Sequence, residues 1–166
     1  MATKAIAVPM DEYLRTSYEW EPEWVDGELV ERSLPNNKHA EVQAVIDHAV
    51  VASQSTSRLF ARPGLRIQVS PNRWRIPDIS LFADQKPTGD YPSNVYSVIE
   101  IVSPGDAIRE LNNKLEEYAA MGIPYIWVLD PDHKRIQRYE NESLIRVSAI
   151  EFPDRGFRLT AEEIFA

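Results

Sequence analysis

The sequence predicts an α/β domain with a mixed central β-sheet flanked by helices. Three observations carry this. Two strongly apolar runs, "VYSVIEIVS" and "YIWVLD", bracket a helix-period segment, the pattern of a right-handed parallel strand–helix–strand crossover. Paired short runs on either side of Asp26-Gly27, and again around "PNR" at 71–73, read as hairpins. A further segment, Lys38 to about Ser53, repeats Val42, Val45, Ile46, Ala49 and Val50 at helical spacing.

Taken in order, "MDEYLRTS" forms a short helix and "EWVDGELVE" the first hairpin. Asn36 or Asn37 in "SLPNNKHA" caps the long helix that follows. "GLRIQVS" and "WRIPDISLF" make the second hairpin, and "ADQKPTGDYPSN" is a loop. The strand over 95–103 is apolar enough for burial on both faces. The helix from about Asp106 to Met121 has Ile108, Leu111, Leu115 and Tyr118 as its apolar stripe, and Gly122 stops it. After "YIWVLD" come the strands "RIQRYE" and "SLIRVSAI", with "NE" as the turn between them. Thr160 to Glu163 is a capping box opening a last short helix. Apart from the crossover, pairing is expected to be largely antiparallel.

The 166 residues fit one domain, 1–166, large enough to hide roughly 70% of the unfolded surface. There is no cysteine, so disulfides and thiolate metal sites are excluded, and His39, His48 and His133 are too scattered for a zinc site. No run reaches membrane-spanning length, and the N-terminus lacks the pattern of a signal peptide. A cytoplasmic location is expected. The net charge of −8 argues against whole-surface attraction to nucleic acid. Yet no acid falls between Asp47 and Asp78, while Arg58, Arg62, Arg66, Arg73 and Arg75 stand there beside Trp74. A local basic patch is expected, with Trp74 as a surface on which a base could stack.

Two acids occupy positions where acids are costly. Glu100 shares its strand face with Tyr96, Val98 and Val102, and an unpaired buried carboxylate costs several kcal/mol, roughly. Asp78, in "RIPDISLF", lies between Pro77 and Ile79. Taken singly, each reads more readily as a strand-end residue. As a pair they converge if their two strands are sheet neighbours, and converging carboxylates repel unless a cation lies between them. A hard divalent ion such as Mg²⁺ uses one or two carboxylates, water and a substrate phosphate.

The spacing "IPD … VIEIVSP" resembles the PD-(D/E)xK nuclease superfamily. More specifically, the chain is similar to the Uma-two family of restriction-endonuclease-like bacterial proteins, through "EWVDGELVE", "PNNKHAEVQ", "RIPDISLF", "VIEIVSPGD" and "NKLEEYAAMGIPYIWVLDP". The resemblance implies a restriction-endonuclease-like core. It also implies a site in which Asp78, Glu100 and the Ile101 carbonyl hold Mg²⁺ or Mn²⁺. The lysine expected two residues after Glu100 is replaced by Val102. The family likewise lacks it and uses a lysine of the following helix, here Lys114. Helical geometry sets Lys114 on the flank of the buried stripe, from which a long side chain reaches the strand ends. The alternative is a solvent-facing Lys114 paired with Glu110 or Glu117.

Glu23 matches an acid in the family's E-x-x-D-G segment and is a further carboxylate for the metal site or for general-base work; otherwise it is an exposed hairpin acid. His39 matches a family histidine, and Gln43 lies one turn later on the same face; both are candidates for contacting substrate, with helix capping as the alternative for His39. Arg73 and Arg75, with "HKRIQR", are candidate phosphate contacts. The implied activity is metal-dependent hydrolysis of phosphodiester bonds in DNA, with Lys114 orienting the attacking water. Two copies, one per strand, are expected for duplex cleavage. The rival reading is a catalytically inactive nuclease-fold module that binds nucleic acid or protein, which the net charge and Val102 favour.

Overall fold

Local chemistry sets the first turns. In the computed structural model, which describes residues 5–166, β1 (Ile6–Ala7) leads into α1 (Met10–Arg15), the expected short helix. Strands β2 (Glu23–Val25) and β3 (Glu28–Val30) pair through Asp26 and Gly27, at φ 51° and 89°. A two-residue hairpin turn of this kind needs positive φ at both centres.

Helix α2 (Asn37–Ser57) is capped by Asn36, whose side chain accepts the His39 N–H at 3.0 Å. It runs four residues past its expected end and passes directly into β4 (Leu59–Pro63), a strand the sequence did not signal. The second hairpin is β5 (Ile67–Ser70) with β6 (Arg73–Arg75). "WRIPDISLF", expected as one strand, breaks at Ile76–Asp78, and β7 (Ile79–Ala83) joins a different sheet. The break has a clear cause. Pro77 has no N–H for a ladder, and the Ile76 N–H goes to the Glu23 carboxylate instead (3.0 Å).

Strand β8 (Ser97–Ile101), helix α3 (Ile108–Ala120) and strand β9 (Tyr125–Asp130) form the expected crossover. β8 and β9 are parallel, in register from Ser97↔Tyr125 to Ile101↔Leu129. β10 (Arg135–Glu140) and β11 (Ser143–Val147) continue antiparallel. "SLIRVSAI" also divides: β12 (Ala149–Phe152) leaves to pair with β13 (Phe157–Thr160), another strand without a sequence signal. The capping box at Thr160 opens α4 (Ala161–Ile164).

The result is a six-stranded mixed sheet, β11-β10-β9-β8-β7-β4, beside a five-stranded one, β1-β3-β2-β6-β5. α2 covers one face of the larger sheet, where Val42, Ile46 and Val50 meet Leu81, Ile99, Ile101 and Trp127. α3 covers the other, with Leu115 and Tyr118 against Phe82, Val98, Ile126 and Val128. Ile108, expected in that stripe, is instead exposed. Trp74, expected to be available for stacking, is buried among Tyr13, Trp24 and Leu29 and meets Tyr91 edge-on.

Candidate functional site

The segment 76–78 joins the two sheets, and the candidate site lies at this seam. Asp78 Oδ2 accepts the Ile101 N–H at 2.6 Å, which ties it to the end of β8. Its Oδ1 faces Arg32 Nη2 (3.4 Å) and His39 Nε2 (3.2 Å). Gln43 Nε2 donates to the Asp78 carbonyl at 3.3 Å. His39 Nδ1 is 2.9 Å from Ser103 Oγ. Both ring nitrogens of His39 are thus engaged, and Asp78 lowers the cost of a proton there, so the histidine's pKa lies above its ordinary value although burial works against it. The polar atoms of His39 and Gln43, the expected substrate contacts, face Asp78 and Ser103.

Glu100 is buried on the α3 side of β8 and accepts a hydrogen bond from Tyr118 Oη at 2.6 Å. Burial, reinforced by the nearby negative charges of Asp78 and Glu23, pushes its carboxyl up to about 7, against the pull of Lys114 and Tyr118. Lys114 does not face solvent. It reaches inward and pairs with Glu23 Oε1 at 3.0 Å, not with Glu110 or Glu117. Burial alone would lower its pKa; Glu100 and Glu23 outweigh that and hold the ammonium charged.

Glu23 is no exposed hairpin acid. It is buried, and besides Lys114 it accepts from Arg75 Nη1 (3.0 Å) and the Ile76 N–H. Arg75 is 0% exposed. It spans Glu23, Glu110 and Glu117, taking Glu117 in two-pronged fashion at 2.6 and 2.9 Å. Arg73 pairs with Asp26 and Glu117. These two arginines, expected as phosphate contacts, are paired with carboxylates here. Of the other arginines of the expected basic patch, Arg58 donates to the Asp84 carbonyl, Arg62 to the Ala61 carbonyl, and Arg66 to the Tyr13 and Thr16 carbonyls.

One cavity of about 210 Å³ collects the set, lined by Glu23, Arg32, His39, Asp78, Glu100 and Lys114, with Ile101, Val102 and Ser103 along β8 and its exit. Asp78, immediately before β7, and Glu100, on the neighbouring β8, both line it. Lys114 enters from the helix, next to the apolar Val102. Three participants carried no sequence signal: Arg32 sits in an unremarkable loop, Ser103 reads as a strand end, and Tyr118 reads as core. Among the described residues no group of three or more His, Asp or Glu side chains is gathered as a metal cage.

The mixed sheet flanked by helices carries this cavity at its seam with the smaller sheet. The Uma2 family, described as "Putative restriction endonuclease", matches residues 10–166, and the chain belongs to it. In fold it is similar to the crystal structure of a "putative nuclease belonging to DUF820" from Anabaena variabilis ATCC 29413. The two share 19% identity with a TM-score of 0.78, over 95% of this chain and 97% of that one. No curated protein matches the chain.

Proposed function

We propose that the protein is a metal-dependent endonuclease that hydrolyses phosphodiester bonds in DNA. The observation that carries this reading is that Asp78, Glu100 and Lys114 line one cavity. Mg²⁺ or Mn²⁺ would be held by Asp78, Glu100 and the Ile101 carbonyl. The donors fit such an ion: hard oxygens, two of them carboxylates, with space for the waters that Mg²⁺ retains. Burial is the main cause of the raised Glu100 pKa, with Asp78 and Glu23 adding to it against Lys114, and a cation at this carboxylate would favour its ionised form. When bound, the ion would supply a water of lowered pKa and polarise the scissile phosphate.

The chain's own residues do the rest. Ile101 N–H, Arg32 and His39 orient Asp78, and Tyr118 orients Glu100. Lys114, held by Glu23, presents a fixed positive charge where negative charge develops at the phosphate. Arg32, whose side chain is partly exposed at the cavity wall, is the remaining cation able to take a phosphate oxygen. A homodimer would place one such site on each strand of a duplex.

The test is cleavage of plasmid and oligonucleotide DNA with Mg²⁺ by wild type, Asp78→Ala and Glu100→Ala. Loss of cleavage in both variants is expected; equal activity in all three sinks the assignment. One observation favours a second reading, a nuclease-fold module that binds without cutting: Asp78 Oδ1 already faces two cationic partners. DNA binding unaccompanied by cleavage at any divalent ion tested would select it.

A further inference from the structure

Two basic side chains reach Asp78, and they are held very differently. His39 is buried and fixed from both sides: its backbone N–H goes to Asn36, its Nδ1 lies 2.9 Å from Ser103 Oγ and its Nε2 lies 3.2 Å from Asp78 Oδ1. Arg32 carries five N–H donors on its guanidinium. Among the described residues its one polar contact is from Nη2 to that same Oδ1, at 3.4 Å, longer than the usual N–H···O distance. The chain that carries it is tied as loosely. Residues 32–35, between β3 and α2, make no backbone hydrogen bond among the described residues.

Oδ1 is the oxygen of Asp78 left for a hard ion, because Oδ2 is turned to β8 and accepts the Ile101 N–H at 2.6 Å. A carboxylate oxygen offers about two lone-pair sites, and His39 and Arg32 stand at both. One of them must leave before a metal ligand forms there, and Arg32 is the one with a single long contact to break. Electrostatics act in the same direction. The charge of Arg32 works against the charged forms of His39 and Lys114, and a dication at either oxygen of Asp78 would add positive charge within a few ångströms of it. The neighbouring cations are already committed, Arg75 to Glu23, Glu110 and Glu117, and Lys114 to Glu23. Arg32 stays on the cavity wall, with a planar fork of donors that matches a phosphate.

We infer that Arg32 and the divalent ion exclude one another at Asp78 Oδ1, and that the displaced Arg32 takes a phosphate oxygen of the DNA strand. This rests on the proposal that Asp78 and Glu100 hold the ion. One residue then carries effects of opposite sign: Arg32 weakens ion binding by the protein alone and strengthens DNA binding once the ion is present. By linkage, ion and DNA each favour the other through it.

The test follows the EPR signal of free Mn²⁺ against the full chain, without DNA, for wild type, Arg32→Met, Arg32→Lys and Asp78→Asn. Anisotropy then reads binding of a fluorescein-labelled phosphorothioate duplex, which resists cleavage, with and without Mn²⁺. Arg32→Met is expected to bind Mn²⁺ roughly two- to fivefold tighter than wild type, the size of a partly exposed ion pair. It should bind the duplex roughly tenfold more weakly when Mn²⁺ is present, with little change when Mn²⁺ is left out. Arg32→Lys keeps the charge and should return Mn²⁺ affinity to the wild-type value and part of the DNA binding. A damaged fold would weaken both ligands, so the opposite signs separate the exchange from misfolding. Arg32→Met that binds Mn²⁺ no tighter than wild type overturns the exclusion. Tighter Mn²⁺ binding with unchanged DNA binding overturns the transfer to phosphate. Equal Mn²⁺ binding by wild type and Asp78→Asn removes the ion site, and the proposed function with it. Opposite signs at Arg32 in a protein that cuts no DNA with Mg²⁺ remove the proposed cleavage and leave the exchange standing.

Discussion

Lys114 is held by a chain of charges rather than by a single contact. Arg75 fixes Glu23, and Glu23 fixes Lys114. Arg75 is fully buried against three carboxylates, so removing it strands buried negative charge, at a cost of about 3–5 kcal/mol. Arg75→Met is therefore expected to lose that much stability in urea unfolding. Arg75→Lys is expected to lose a substantial part of it, because an ammonium cannot reproduce the two-pronged contact with Glu117. Lys114→Met separates chemistry from folding. Glu23 keeps Arg75 and the Ile76 N–H, so the fold should survive, with circular dichroism unchanged, while DNA cleavage is lost. A Lys114→Met protein that cuts at the wild-type rate would show that the helix lysine has no part in the reaction.

At the scale of elements, whatever depended on neighbours in the chain was legible in the sequence. The Asp26-Gly27 turn, the cap at Asn36, the apolar repeat of α2, the doubly buried β8 and the capping box at Thr160 all rest on contacts within a few residues. The misses rest on distant partners. β4 is a strand because it lies along β7, and nothing within "LFARP" announces that. The break at Ile76–Asp78 depends on Glu23, 53 residues earlier, taking the Ile76 N–H. The candidate site divides the same way. Asp78, Glu100 and Lys114 are read from local placement and a motif, whereas Arg75 resembles a surface arginine until α3 brings Glu110 and Glu117 to it. The cap is worth testing because it anchors both an element and a site residue. Asn36→Ala should cost about 1 kcal/mol in unfolding free energy. It also frees the His39 N–H, so DNA cleavage is expected to fall by more than the population of unfolded protein explains.

For the molecule as a whole, acidic groups pull stability in opposite directions with pH. Asp26 and Glu117, each paired with arginine, have carboxyls held below the ordinary range, though burial opposes this for Glu117. Their stabilisation is complete above their unfolded pKa values and is lost on acidification. Asp47 and Glu100 act the other way: burial raises Asp47 to about 6 and Glu100 to about 7. Between its unfolded value of 4.5 and about 7, Glu100 keeps a proton in the fold that the unfolded chain has released. Stability must therefore fall as pH rises through that window, by on the order of 3 kcal/mol for Glu100. Without divalent ions, urea unfolding from pH 4 to 8 is expected to show a maximum on the acid side of neutrality. Glu100→Gln, which still accepts from Tyr118, should flatten the decline toward pH 8, and Asp47→Asn the part below pH 6. A divalent cation at Asp78 and Glu100 favours the ionised form, so it should return the stability that deprotonation removes. Mg²⁺ is thus expected to raise the melting temperature of wild type more at pH 8 than at pH 5.5, and to leave Glu100→Gln nearly unmoved. Equal rises in wild type and Glu100→Gln at pH 8 would mean that the ion binds elsewhere and that Glu100 is not its ligand.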